Sequence, residues 1–452
     1  MDLTTAVRSR GYLALLVIAG LLGLPFGIVA LAFIGLIHEG EKLVFTTFPE
    51  WLGQSAPPLW LLLLAPLVGG VLTGLAVHYL PGHGGHSPMV NPGGGEPIGV
   101  SAVPSVVLAA LAGLSFGVVL GPEAPLIGMA SGLGAWIASL LRKGDAPTAQ
   151  LISLTAVFAM VAALFGGPIV AAVFIIETVA LGGAGLTVAI LPALTAAGTG
   201  YLAYTGFGSW SGIEAPVLAV PDLPADGPLT AGSFISAIVL GAAAGLLCTA
   251  VRKVGSFTLR LTGDRHPLLT TGAVGLLIGA CAVSYEVITG APGTDVLFSG
   301  QSALPTLAAN GFTAATGTLI ALLLLKSLAY GVALGGGFRG GPIFPALFLG
   351  TLLGVLAVNL LPGLPPLAGF AAGMAAGTAG MLRLPLSALV LVTVIVGPAN
   401  AEVLPPVVVA LVVAVVVATR LNADQPPTIA PDREHNDEVG AVVSAAPAAS
   451  SP

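Results

Sequence analysis

Long tracts of this chain carry no Asp, Glu, Lys or Arg: residues 51–95, 97–122, 146–176, 178–213, 296–325 and 340–382 are free of all four. A soluble domain draws about 25% of its residues from that set. Here the share is 8% of 452 residues, against 56% apolar. So few charges cannot cover a water-soluble surface of this size. A helix needs about 20 apolar residues to cross a bilayer, and the charge-free tracts supply many such lengths. The sequence therefore predicts an all-α polytopic membrane protein. Cys248 and Cys281 lie in or beside apolar runs and read as small core residues, not as a disulfide framework.

The first apolar run, from Gly11 to about Ile37, is too long for the apolar region of a signal peptide and reads as a spanning helix. Basic residues flanking apolar runs mark the cytoplasmic side. Arg8 and Arg10, Arg142 and Lys143, the group Arg252, Lys253, Arg260 and Arg265, and Arg420 are placed there; the acidic patches Glu39–Glu50 and Glu214–Asp226 face outward. Both termini are then inside. Residues 1–10 form a cytoplasmic N-terminus, 11–420 the transmembrane domain, and 421–452 a disordered cytoplasmic tail of Pro, Ala, Ser and acidic residues. No second soluble domain is expected.

Several apolar segments are only 15 to 19 residues long and end at Gly-Pro rather than at a charge. Such helices stop inside the membrane, where irregular backbone survives only if protein or a water-filled cavity covers it. Two of these breaks match. Gly121-Pro122-Glu123-Ala124-Pro125 and Gly341-Pro342-Ile343-Phe344-Pro345 both read G-P-x-x-P. Pro168 follows Pro125 by 43 residues, and Pro385 follows Pro345 by 40. The halves, about 11–206 and 230–420, thus carry the same elements in the same order. Two inverted-topology repeats with broken helices would place a binding site at the midplane.

A helix that starts within the membrane exposes unpaired N–H groups and the positive end of its dipole. Proline suits that first turn, and glycine before it lets an ion approach the backbone. Two such starts make a site for a small anion without Lys or Arg, which would hold the anion too tightly for rapid transit. Glu123 is ionisable, intramembrane and at one of these starts, so it is the leading functional candidate. Its carboxylate is expected to occupy the anion's place, held by the N–H groups of its own helix start, and to leave when protonated.

The segment from Gly121 to Gly128 resembles the G-[KR]-E-G-P motif of the CLC chloride channel and transporter family. Lys326 through Gly337, followed by Gly340-Gly341-Pro342-Ile343-Phe344-Pro345, resembles that family's K-x-x-x-x-x-x-x-G-x-G-x-x-G-G-x-F-x-P region. Gly166-Gly167-Pro168-Ile169 through Glu177 resembles its N-A-P-[LI]-x-x-x-x-F-x-x-E segment. The matches run in family order through about residues 75–420, as in a divergent bacterial-type member without CBS domains. The resemblance implies a homodimer in the cell membrane, one anion pathway per subunit, and Glu123 as the gate. It implies anion contacts at Gly85, Ser87, Gly121, Ala124, Gly341, Ile343 and Phe344, with Thr178, Glu177, Lys326 and Thr428 as further pathway residues.

The chain departs from the family pattern at several points. Where the family reads G-S-G-x-P, this chain reads Gly82-His83-Gly84-Gly85-His86-Ser87-Pro88, so Gly85 falls at the serine and Ser87 two places late. Ile343 stands at the family's phenylalanine, with Phe344 next to it. The late tyrosine has no match; alignment on Pro426 puts Thr428 there. Proton-coupled members often carry a second glutamate where Thr178 stands, so channel and proton-coupled exchanger both stay open. Lys326 reads either as snorkelling to the interface or as a buried cation. Glu177 reads either as an internal polar anchor or as a helix-end residue. Arg339 and Arg383 are placed at interfaces. His78, His83 and His86 share a Gly-rich loop, but no Cys or carboxylate lies close by apart from Glu96, which argues against a metal. The expected activity is passive or proton-coupled transport of a small inorganic anion, chloride by default. A fluoride or other halide exchanger is the alternative. An intramembrane enzyme is the remote one, since no intramembrane Asp pair and no G-x-S-x-G occurs. Neither a cofactor nor a nucleic-acid partner is expected.

Overall fold

A computed structural model describes residues 8–90, 98–140, 146–179, 183–211, 218–220, 223, 227–263, 265–397 and 402–422. Among them the chain is helical, apart from one isolated antiparallel bridge between Gly121 and Gly341. The first half contains α1 (Arg10–Lys42), α2 (Leu59–Tyr79), α3 (Val103–Leu114), α4 (Glu123–Leu140), α5 (Ala146–Leu164), α6 (Pro168–Val179) and α7 (Gly183–Ser211). The second contains α8 (Ala231–Thr262), α9 (Pro267–Thr289), the short α10 (Leu304–Asn310), α11 (Thr316–Gly335), α12 (Ile343–Leu360), α13 (Pro366–Leu382), α14 (Pro385–Val396) and α15 (Leu404–Leu421).

The repeat is visible in the helix lengths. α1 and α8 have 33 and 32 residues, α2 and α9 have 21 and 23, α4 and α12 have 18 each, and α6 and α14 have 12 each. Packing repeats too: α1 lies on α7 as α8 lies on α15, and α4 on α5 as α12 on α13. Among the described residues, seven helices are long and apolar enough to cross a membrane. The 12-residue α6 and α14 are not, since about 18 Å of helix falls short of the roughly 30 Å hydrocarbon core. Both begin at a proline.

Glycine sets how closely the helices approach. A Cβ at Gly275 or Gly279 of α9 would run into the backbone of Pro66 or Leu63 in α2. Gly350 and Gly354 of α12 meet Gly369, Gly373 and Gly377 of α13 in the same way. Small residues let membrane helices pack at backbone contact, where van der Waals attraction has to replace the hydrophobic effect. This tight scaffold fixes the two broken starts, α4 and α12, against each other.

Candidate anion site at two facing helix starts

The residues before α4 and α12 hold each other. The amide of Gly121 donates to the Gly341 carbonyl at 2.8 Å, and the Gly341 amide to the Gly121 carbonyl at 2.6 Å. The two matched motifs thus meet head to head in opposite chain directions, as inverted repeats require. A side chain at either glycine would collide with the Glu123 carboxylate.

Glu123 opens α4, but its carboxylate reaches across to the other repeat. Oε1 accepts from the Ile343 amide and, at 3.4 Å, from the Phe344 amide. Both N–H groups belong to the first turn of α12. The expectation that the N–H groups of its own helix start hold the carboxylate is therefore corrected. Having no side-chain obstruction at Gly341, the carboxylate lies against the opposite start instead. The residue is 1% exposed, and Oε2 is a buried oxygen without a hydrogen-bond partner. A carboxylate here enjoys the amides and dipole that any small anion would use. Tyr330 on α11 steadies the start of α12: its buried hydroxyl donates to the Pro342 carbonyl at 2.7 Å.

Five of the sequence candidates, Gly121, Glu123, Gly341, Ile343 and Phe344, converge in this way. Gly85 and Ala124 line a small adjoining cavity with Gly84, His86 and Gly340. The loop here has left-handed φ angles at Gly82, His83, Gly84 and Gly85, the last at +79°. A serine at 85 would be strained there and would press its Cβ against Val106, which accounts for glycine at this position. Ser87 is not among the residues lining that cavity. The hydroxyl of buried Ser105 accepts from the Gly84 amide at 3.1 Å and donates to the Ala102 carbonyl at 2.8 Å. Thr428 lies outside the described residues, as do Arg142, Lys143, Glu96 and the tail from 423 onward.

The remaining candidates stand apart. Glu177, near the end of α6, accepts from the amides of Leu386 and Ser387 at 3.0 and 2.7 Å and from the Ser387 hydroxyl at 2.5 Å. It ties the end of α6 to the start of α14. The hydroxyl of Thr178 turns back to the Phe174 carbonyl of its own helix. Lys326 is fully buried, which overturns the snorkelling reading. Its ammonium donates to the carbonyls of Asp295, Val296, Leu297 and Phe298 at 2.6–3.2 Å, so the polar turn draws it inward. Arg252 is buried within α8, and the part-buried Arg339 lines the cavity beside Gly84 and Gly85. The histidines separate: His83 Nδ1 pairs with the Val77 carbonyl at 3.0 Å, while His78 stacks near His266. Among the described residues no group of three metal-ligating side chains forms.

Tyr330, Arg339 and Ser387 were not picked out as site residues. Tyr330 carries a polar tip in an apolar helix four residues after Lys326, a signal that a buried partner exists. The other two offered no local signal.

The chain is similar to known proteins. The family described as voltage gated chloride channel matches residues 69–419. The YfeO protein of Salmonella paratyphi A, provisionally named for ion transport, is 28% identical over 348 residues, spanning 76% of this chain and 80% of its own. The Escherichia coli O139:H28 protein of the same name is 28% identical over 352 residues, spanning 76% and 78%. A slow cyanobacterial Cl−/H+ antiporter has a similar fold, with a TM-score of 0.75 at 20% identity, covering 95% of this chain and 98% of its own. A CLC-type fluoride/proton antiporter aligns with a TM-score of 0.66 at 23% identity, covering 90% and 96%.

Proposed function

Because the chain belongs to the voltage-gated chloride channel family, we propose that it carries chloride or a similar small inorganic anion across the membrane, with Glu123 as the gate. The observation that supports this reading best is the Glu123 carboxylate on the Ile343 and Phe344 amides, with its second oxygen unpartnered. A side-chain anion at a helix start stands where a free anion would bind. Protonation removes its charge, weakens its hold on the amides and frees the place. The chemistry is displacement of one anion by another, with no bond made or broken, so the protein is assigned as a transporter and not as an enzyme.

The protein is further proposed to act as a homodimer in the cell membrane with one pathway per subunit. The basic flanks Arg8, Arg10 and Arg420 support cytoplasmic termini. Thr178, whose hydroxyl is turned to its own helix, offers no carboxylate for an inner proton route. Fluoride or another halide is the second reading, supported by Gly85, which supplies no hydroxyl to the site. Halide efflux from proteoliposomes, with and without a proton ionophore, tests the proposal. Chloride efflux far above that of empty vesicles is expected; absence of efflux for every halide would overturn it.

A further inference from the structure

Arg339 sits in the segment between α11 and α12, directly before Gly340 and Gly341. Its Nε and Nη2 both donate to the His83 carbonyl, at 3.2 and 3.1 Å. The side chain runs along Gly84, where an added Cβ would lie 3.0 Å from its Cγ and 3.1 Å from its Nε. It lines the cavity that Gly85 and Ala124 also line. One edge of the guanidinium is therefore fixed. The other edge, with Nη1 and the second N–H of Nη2, has no hydrogen-bond partner among the described residues, and none of their carboxylates forms an ion pair with it. The guanidinium is part-buried, its free edge is open to approach, and no carboxylate among the described residues pairs with it.

We propose that Arg339 is an anion ligand of the transport pathway, supplying from its free guanidinium edge the donors that Gly85 lacks. The inference rests on the transport reading above and deepens it. A guanidinium edge presents two parallel N–H groups and suits an anion that offers two oxygens in one plane. A trigonal oxyanion such as nitrate is thus held at both donors, whereas a spherical halide is held as a point charge. Transit is slower than through amides alone, because the anion must leave a charge-assisted bond.

The test uses the full chain in proteoliposomes, with chloride and nitrate as separate probes. The concentration giving half-maximal flux is measured for each. Arg339→Gln is expected to raise it about tenfold or more for both, the worth of a charge-assisted hydrogen bond. Arg339→Lys keeps the charge but not the fork, so chloride recovers while the nitrate-to-chloride preference falls several-fold. Ser105→Ala loosens the same loop without touching the charge and should leave that preference intact. Glu96→Gln should leave both concentrations within about twofold of wild type. A wild-type protein that carries no anion refutes the transport reading itself. Working transport with an unchanged Arg339→Gln, or a Ser105→Ala that reproduces its effect, makes Arg339 a loop clamp and overturns the inference. A tenfold tighter anion in Glu96→Gln also overturns it, because Glu96 would then be the counter-charge. If Arg339→Gln does not fold, an unchanged preference in Arg339→Lys overturns it equally.

Discussion

Lys326→Met removes the ammonium from the turn at residues 295–298 while keeping a chain of similar length. Three N–H donors currently serve four carbonyls at 2.6–3.2 Å. Methionine leaves at least three buried carbonyl oxygens without those donors. Within membranes such a bond averages about 0.6 kcal/mol, and a stranded buried acceptor costs about 1–3 kcal/mol. Removing a buried charge returns part of this. The longer-range attraction of Asp295 and Glu41, and the ring of Phe348 at 4.9 Å, are lost as well. The balance is a destabilisation of about 2 kcal/mol or more. Thermal denaturation in detergent, followed by gel filtration, measures it, and flux through the surviving folded fraction should keep the wild-type half-saturating chloride concentration. A Lys326→Met protein as stable as wild type but with weakened chloride affinity would refute this account. Lys326 would then act on the anion through its field and not on the fold.

Two further outcomes follow from the facing helix starts. Gly341→Val should abolish transport, because any side chain at 341 collides with Glu123 and blocks approach to the α12 amides. Ile343→Leu should leave flux within about twofold, since only the main chain of 343 is used; equal, small effects of both changes in vesicle efflux would take this segment out of the pathway. Thr178 predicts weak or absent proton coupling, so an outward anion gradient should not drive robust uphill proton uptake into vesicles. Such uptake would require another proton carrier.

The architecture was readable because it is written locally. Charge-free tracts set the spanning helices, and two G-P-x-x-P motifs with matched prolines at 168 and 385 marked the four broken starts. The partners of those starts were not readable. Glu123 meets Ile343 across 220 residues, and Glu177 meets Ser387 across 210. Helical spacing carries no information about which opposite helix start a carboxylate will reach. The four carbonyls that hold Lys326 are backbone groups about thirty residues away, invisible to side-chain pattern. Gly85 resisted explanation from alignment alone, since the reason for glycine is its backbone angle.

The central claim is that the Glu123 carboxylate competes with the transported anion for the amides of Ile343 and Phe344, and the direct measurement is anion efflux from proteoliposomes as a function of external pH for wild type and Glu123→Gln. In wild type, flux should rise as external pH falls, because protonation removes the charge that the amides hold. Glu123→Gln carries no charge at any pH, so it should pass anion faster than wild type near neutrality, with a flat pH profile and no coupled proton movement. A folded Glu123→Gln protein that keeps the wild-type pH dependence would show that Glu123 is only a cap on α12.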